Sequence, residues 1–284
     1  MDPIRRFSKP QLRRPRAVIA FEGWGDACEA ASGAVSYLLT LTDEPEPFAV
    51  IDPEDFFDFQ QRRPTVHIEH GGTRNLSWPL TKFYAAERPG DDRDLLLVIG
   101  EEPAFRWKTY SRSISQVLVE MDVEEVVLLG AFIGQVPHTR PVPVIGVATD
   151  TVMIGRYGLS PSTYEGPTGI VAVVQEACRE VGLPTMSLWA AAPHYLAANP
   201  NPMAMLALLE QCRAILGISI DTDELETVAA EFSRRVERAI ESSDDFATYV
   251  NDLEDQGGHG DDDLGDVTPD ALVTEIEDFL RKRT

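Results

Sequence analysis

AVIAFEGWGDA, residues 17–27, is the stretch whose reading decides the fold. Five apolar residues run without a polar break and stop at Glu22. A strand with no alternation is buried on both faces, as in a sheet with helices on either side. Gly23-Trp24-Gly25 then supplies a turn. Asp26 opens a run of small residues that predicts a helix from about Asp26 to Leu41. The same grammar recurs outward from here. FAVID (48–52), LLLVIG (95–100), VVLLGAF (126–132), VPVIGVATD (142–150) and MSLWAAA (186–192) read as further strands. Helical patterns lie over 105–121, 168–181 and 202–216. Residues 66–79 alternate on both sides of Gly71-Gly72, a hairpin signal. Alternating β and α elements with buried strands predict an α/β domain, with a mostly parallel sheet covered on both faces.

Composition sets the outer limits. A chain of 284 residues with 43% hydrophobic content can bury a core. No apolar run approaches the ~18 residues of a membrane helix. The basic lead before AVIAF is followed by too short an apolar stretch for a signal peptide. Cys28, Cys178 and Cys212 are widely spaced and suggest neither a disulfide framework nor a zinc site. These features predict a cytoplasmic protein. The 64 residues from Asp221 hold 20 acids and 6 bases, net −14 of the chain's −22. Such a field repels phosphate backbones and argues against nucleic-acid binding.

The chain divides, on this reading, into three parts. Residues 1–15 form a basic, solvated arm, whose basic cluster runs on to Arg16. Residues 16–220 form the α/β domain. Residues 221–284 are an acidic helical extension with a flexible linker near 255–266. Amphipathic spacing marks helices over 223–240 and 270–282, each needing its own core or a partner to cover.

Ligands of open α/β sheets bind at the carboxyl ends of the strands. Glu22, Asp26, Glu101, Glu102, His138, Arg140 and His194 all follow strands. From these, Glu22, Asp26, His138, Arg140 and His194 are the candidate ligand site. Arg140 is then the clamp for an anion, because a guanidinium offers paired donors to carboxylate or phosphate. Each also has a structural reading: Asp26 as a helix cap, His194 as a hydrogen-bonded core residue, Arg140 as an ion-pair partner of Glu22 or Glu101. No phosphate loop, nucleophile elbow or zinc helix is present, so no metal, cofactor or complete catalytic set is expected.

Several strings taken together carry a family resemblance. They are EGWGDA (22–27), DPEDFFDFQ (52–60) with Arg63-Pro64, GEEP (100–103) with Trp107, VPHTRP (136–141), YEGPTG (164–169) and PHYLAANPNP (193–202). With these the chain resembles the proteasome assembly chaperone 2 family, in its actinobacterial-type branch. The resemblance implies a three-layer α/β/α fold related to phosphorylase- and hydrolase-like proteins, and a binding or assembly factor with proteasome subunits as partners. It also implies a homo-oligomer, a trimer in preference to a dimer. The hydrophobic–Tyr–any-residue tail through which some members dock is not matched by Arg281-Lys282-Arg283-Thr284. The alternative is a small-molecule protein or enzyme binding an anion at the strand ends. Some relatives are labelled carboxylate–amine ligases, but no glycine-rich phosphate loop or magnesium-binding carboxylate set stands in this sequence.

Overall fold

The computed structural model describes residues 2–42, 46–68, 72–196, 200–241 and 244–255. Its strands are β1 (Ile4–Arg6), β2 (Arg16–Glu22), β3 (Ala49–Ile51), β4 (Thr65–Ile68), β5 (Arg74–Ser77), β6 (Thr81–Ala86), β7 (Leu95–Glu101), β8 (Glu125–Gly134), β9 (Val144–Ala148), β10 (Ser160–Pro161) and β11 (Thr185–Pro193). Its helices are α1 (Ala30–Thr40), α2 (Trp107–Glu120), α3 (Thr151–Tyr157), α4 (Ile170–Glu180), α5 (Pro202–Leu216), α6 (Asp223–Ile240) and α7 (Asp244–Asp255). Nine strands form one sheet in the order β1-β3-β6-β7-β2-β8-β11-β9-β10. The centre, β7-β2-β8-β11, is parallel. The flanks are where the parallel expectation stops, because β6, β3 and β1 add antiparallel on one side and β9 on the other.

Alternation along β2 sorts its side chains between two cores. Val18 and Ala20 face α1 and α5, through residues such as Val35, Leu38, Leu208 and Leu209. Ala17, Ile19 and Phe21 face α2 and α4, through Tyr110, Ile114, Leu118, Val171 and Val174. The result is a three-layer α/β/α body. Gly130 lets the Trp189 indole lie against β8, since a Cβ there would sit 2.5 Å from the ring.

Several expectations are corrected. The basic lead is not a solvated arm. Its Ile4–Arg6 segment pairs with β3 at the sheet edge, Arg6 bonds Glu120, and Arg13 bonds the buried Asp94. Arg16 is buried against Glu125 at 2.7 Å and donates to the carbonyls of Ile215 and Leu216, where α5 ends. A cation there answers the unpaired carbonyls of a helix terminus. The first helix begins at Ala30 rather than Asp26, because Cys28 and Glu29 take left-handed backbone angles (φ 55° and 51°) within a short 3-10 turn over Ala27–Glu29.

The acidic extension covers the chain's own core. Phe232, Val236 and Ile240 of α6, with Phe246, Val250 and Leu253 of α7, pack around Tyr195 and Leu196. The expected linker beyond Asp255 and the helix over 270–282 lie outside the described residues. No helix among the described residues is long and apolar enough to cross a membrane.

Candidate functional site

The parallel pairing of β2 with β7 sets Glu22 beside Glu101 at the carboxyl edge of the sheet. Arg62, from the loop before β4, answers both. It meets Glu22 at 3.1 Å and hydrogen-bonds Glu101 through Nε. Burial, and then the neighbouring Glu101, push the Glu22 carboxyl above its usual range. Arg62 therefore holds the place the sequence reading gave to Arg140 as an ion-pair partner.

Beyond Glu22, Gly23 turns the chain at φ 124°. A Cβ at this position would approach the Cβ of Glu102 to 3.0 Å. The Trp24 amide donates to the Glu102 carboxylate at 3.3 Å. The Trp24 ring lies on the backbone of Gly169, the residue that leads into α4. Trp24 is nonetheless 67% exposed. Burial pushes the Glu102 carboxyl up, against the amides of Trp24 and Ile170, which favour its charged form. Phe105 and Tyr164, on the two adjoining loops, are exposed as well. Glu101 and Glu102 thus both serve the edge, one turned to Arg62 and the other to Trp24.

Asp26 turns inward. Its carboxylate accepts from the amides of Ala31 (2.8 Å) and Ser32 (3.1 Å) and from the Ser32 hydroxyl. It caps α1 across the 3-10 turn, as the structural reading had it. Burial holds its carboxyl above the usual range despite these three donors.

The remaining three candidates gather beneath α7. The Tyr195 hydroxyl accepts from the His138 amide at 2.7 Å and meets His138 Nδ1 at 2.9 Å. His194 Nδ1 faces the Gly134 carbonyl at 3.4 Å, leaving Nε2 to accept from the Tyr249 hydroxyl at 2.8 Å. Burial lowers the pKa of both imidazoles. Thr139 and Arg140 bond the Glu254 carboxylate and backbone carbonyl respectively. The VPHTRP turn is in this way stapled by α7. The hydrogen bonds sort the five candidates into four sets: Glu22 with Arg62 and Glu101, Asp26 with α1, His138 with Tyr195, and Arg140 and His194 with α7.

Arg62, Tyr249 and Glu254 escaped the sequence reading. Arg62 adjoins the Arg63-Pro64 string, which was the available signal. Tyr249 and Glu254 sit in an acidic stretch with nothing to single them out. The three cysteines are buried, with thiols pushed up to about 12 by burial, so none is poised as a nucleophile.

The PAC2 family model matches residues 20–240. The chain belongs to the PAC2 family. A PAC2 family protein from Streptomyces avermitilis is 43% identical, with a TM-score of 0.78 over 83% of this chain and 99% of that one. A proteasome-assembly chaperone homologue from Mycobacterium tuberculosis is 39% identical, with a TM-score of 0.75 over 82% of this chain and 99% of that one. An archaeal proteasome activator from Pyrococcus furiosus shares the fold at 19% identity and a TM-score of 0.62, over 83% of this chain and 97% of that one. A search of curated proteins finds no match. PAC2 membership extends beyond residue 220 into α6, in keeping with the packing of that helix on the body.

Proposed function

We propose that this PAC2 protein is a protein-binding assembly factor for proteasome subunits, working in the cytoplasm as a homo-oligomer, with a trimer preferred. The observation that carries the reading is the 39% identical relative described as a proteasome-assembly chaperone homologue, whose length this chain spans almost completely. The surface we assign to subunit binding is the carboxyl edge of the sheet. Trp24, Phe105 and Tyr164 stand exposed there on three adjoining loops, beside Glu22, Glu101 and Glu102. Exposed aromatics held on a rigid frame are the residues that anchor protein–protein contacts, and carboxylates around them favour a basic partner surface.

The anion-binding alternative takes second place. Arg140, its proposed clamp, is tied to the backbone of α7, and the cation at the edge, Arg62, is already shared by two carboxylates. Pull-down of proteasome α and β subunits, run beside a thermal-shift screen of phosphate and carboxylates, separates the two. Subunit capture with a flat anion screen supports the assembly reading. Anion stabilisation that Arg140→Met abolishes, without subunit capture, overturns it.

A further inference from the structure

Two glycines from separate loops make a niche for the Glu102 side chain at the end of β7. A Cβ at Gly23 would come to 3.0 Å from the Glu102 Cβ and 3.5 Å from its carboxylate. A Cβ at Gly169 would lie 3.6 Å from both carboxylate oxygens. The Glu102 amide donates to the Glu22 carbonyl at 2.9 Å, which fixes its backbone to β2. Its carboxylate accepts from the amide of Trp24 at 3.3 Å and from that of Ile170, the first residue of α4. Gly169 stands at the N-cap of α4 and has no side chain to cap with, so Glu102 supplies the acceptor from another element. One carboxylate thus joins the turn after β2 to the start of α4. The Trp24 ring lies at that junction, since a Cβ at Gly169 would meet it at 3.0 Å. The far end of the turn is held independently, by the Gly25 carbonyl accepting from the Ala131 amide of β8 at 2.8 Å.

We propose that Glu102 is the positioning residue of Trp24: by tying the Trp24 amide to the first amide of α4, it seats the indole on Gly169 and presents it to the proteasome subunit. The inference rests on the subunit-binding reading of the edge and deepens it. It gives Glu102 a role apart from Glu22 and Glu101, whose carboxylates Arg62 meets from its loop. The oxygens of Glu102 are engaged by amides of its own chain, so it acts through Trp24 rather than on the partner. An exposed aromatic anchor that is already held in place gives up less conformational freedom when a partner closes over it. Without Glu102 the turn keeps its Gly25 tie to β8, so the body stays folded while the indole loses its seat.

Fluorine NMR of the full chain labelled with 5-fluorotryptophan reads the indole with no subunit present. The lines belong to Trp24, Trp78, Trp107 and Trp189, and Trp24→Phe identifies the first by its loss. In Glu102→Ala the Trp24 line should narrow and move toward the position of the free amino acid, while the other three stay where they are. An unmoved Trp24 line overturns the proposal. Should Glu102→Ala fail to fold, Glu102→Gln decides. It keeps the stem, gives up the charge and sets an amide NH2 among amide donors, so the line should move in the same direction, and an unmoved line again overturns the proposal. Gly169→Ala leaves the carboxylate in place and pushes a methyl group into the seat of the indole. The Kd for immobilised proteasome α-subunits should rise about 2- to 12-fold in both Glu102→Ala and Gly169→Ala, the cost of immobilising one freed side chain on binding. A loss in Glu102→Ala alone assigns the effect to charge and overturns the positioning role. The fluorine line decides the hold of Glu102 on Trp24 even where the parent binds no subunit, so failure of this role and failure of the proteasome reading are told apart.

Discussion

Arg16→Met should destabilise the body of the protein through one buried pair. The Arg16 and Glu125 side chains are 9% and 6% exposed, and their charged atoms meet at 2.7 Å. Arg16 also serves two carbonyls at the end of α5. Methionine keeps the stem's bulk and removes the charge. Stranding one partner of a buried pair costs about 3–5 kcal/mol. Arg156 and Tyr157 still reach the Glu125 carboxylate, which puts the cost at the lower end of that range. At about 2–4 °C per kcal/mol for a domain of this size, a loss of about 3 kcal/mol lowers Tm by roughly 6–12 °C. The Arg16 Nε has no hydrogen-bond partner among the described residues, so the pair is itself imperfectly satisfied. Arg16→Met/Glu125→Leu should accordingly recover at least half of the loss. Calorimetric melting of the three proteins is the assay. A single variant melting within about 2 °C of the parent would refute the reasoning, since that is less than 1 kcal/mol.

The two imidazoles beneath α7 predict a pH dependence. Burial lowers the pKa of His138 and His194 in the fold below the ~6.5 of the unfolded chain. Their contribution is therefore complete above ~6.5 and lost as pH falls through that value toward the folded pKa. Glu237 and Glu254 oppose this at His138 without reversing it. Amide protection in α7, corrected for intrinsic exchange, should fall between pH 7 and 5, and a flat profile counts against the staple. Gly130→Ala drives a methyl group into the Trp189 ring and should cost about 1–3 kcal/mol of stability. Combining it with Trp189→Leu should restore most of that, and a normal melt of the single variant contradicts the close approach.

The central strands were legible because continuous apolar runs such as AVIAF and VVLLGAF have no other comfortable home. β6 was missed: TKFYAA mixes buried Phe83 and Tyr84 with Lys82 and two alanines, which neither alternate cleanly nor run apolar. β1 is three residues long and mostly charged, and only its partner β3 makes it a strand. α7 carries Phe246, Val250 and Leu253 at helical spacing, but they are spread among acids in a stretch over which no helix was read. Topology correctly brought Glu22 and Glu101 to one edge. It gave no warning that a distant loop would deliver Arg62 there, or that α7 would engage His194 and Arg140, because such contacts depend on how separate segments fold back. That Asp26 caps a helix was readable from its place ahead of a small-residue run, but the 3-10 turn that separates it from α1 was not.

The central claim, that the carboxyl edge binds proteasome subunits, is tested most directly by the affinity of immobilised proteasome α-subunits for the parent and for Trp24→Ala. An aromatic residue of this kind buries about 150–250 Å², and Trp24 is 67% exposed and so open to a partner. At about 25 cal/mol per Å² its burial contributes about 2.5–4 kcal/mol, or roughly a 60- to 1,000-fold change in Kd. The account predicts measurable binding by the parent and a loss of that size in Trp24→Ala. A parent that does not bind, or a variant that binds as tightly as the parent, would contradict it.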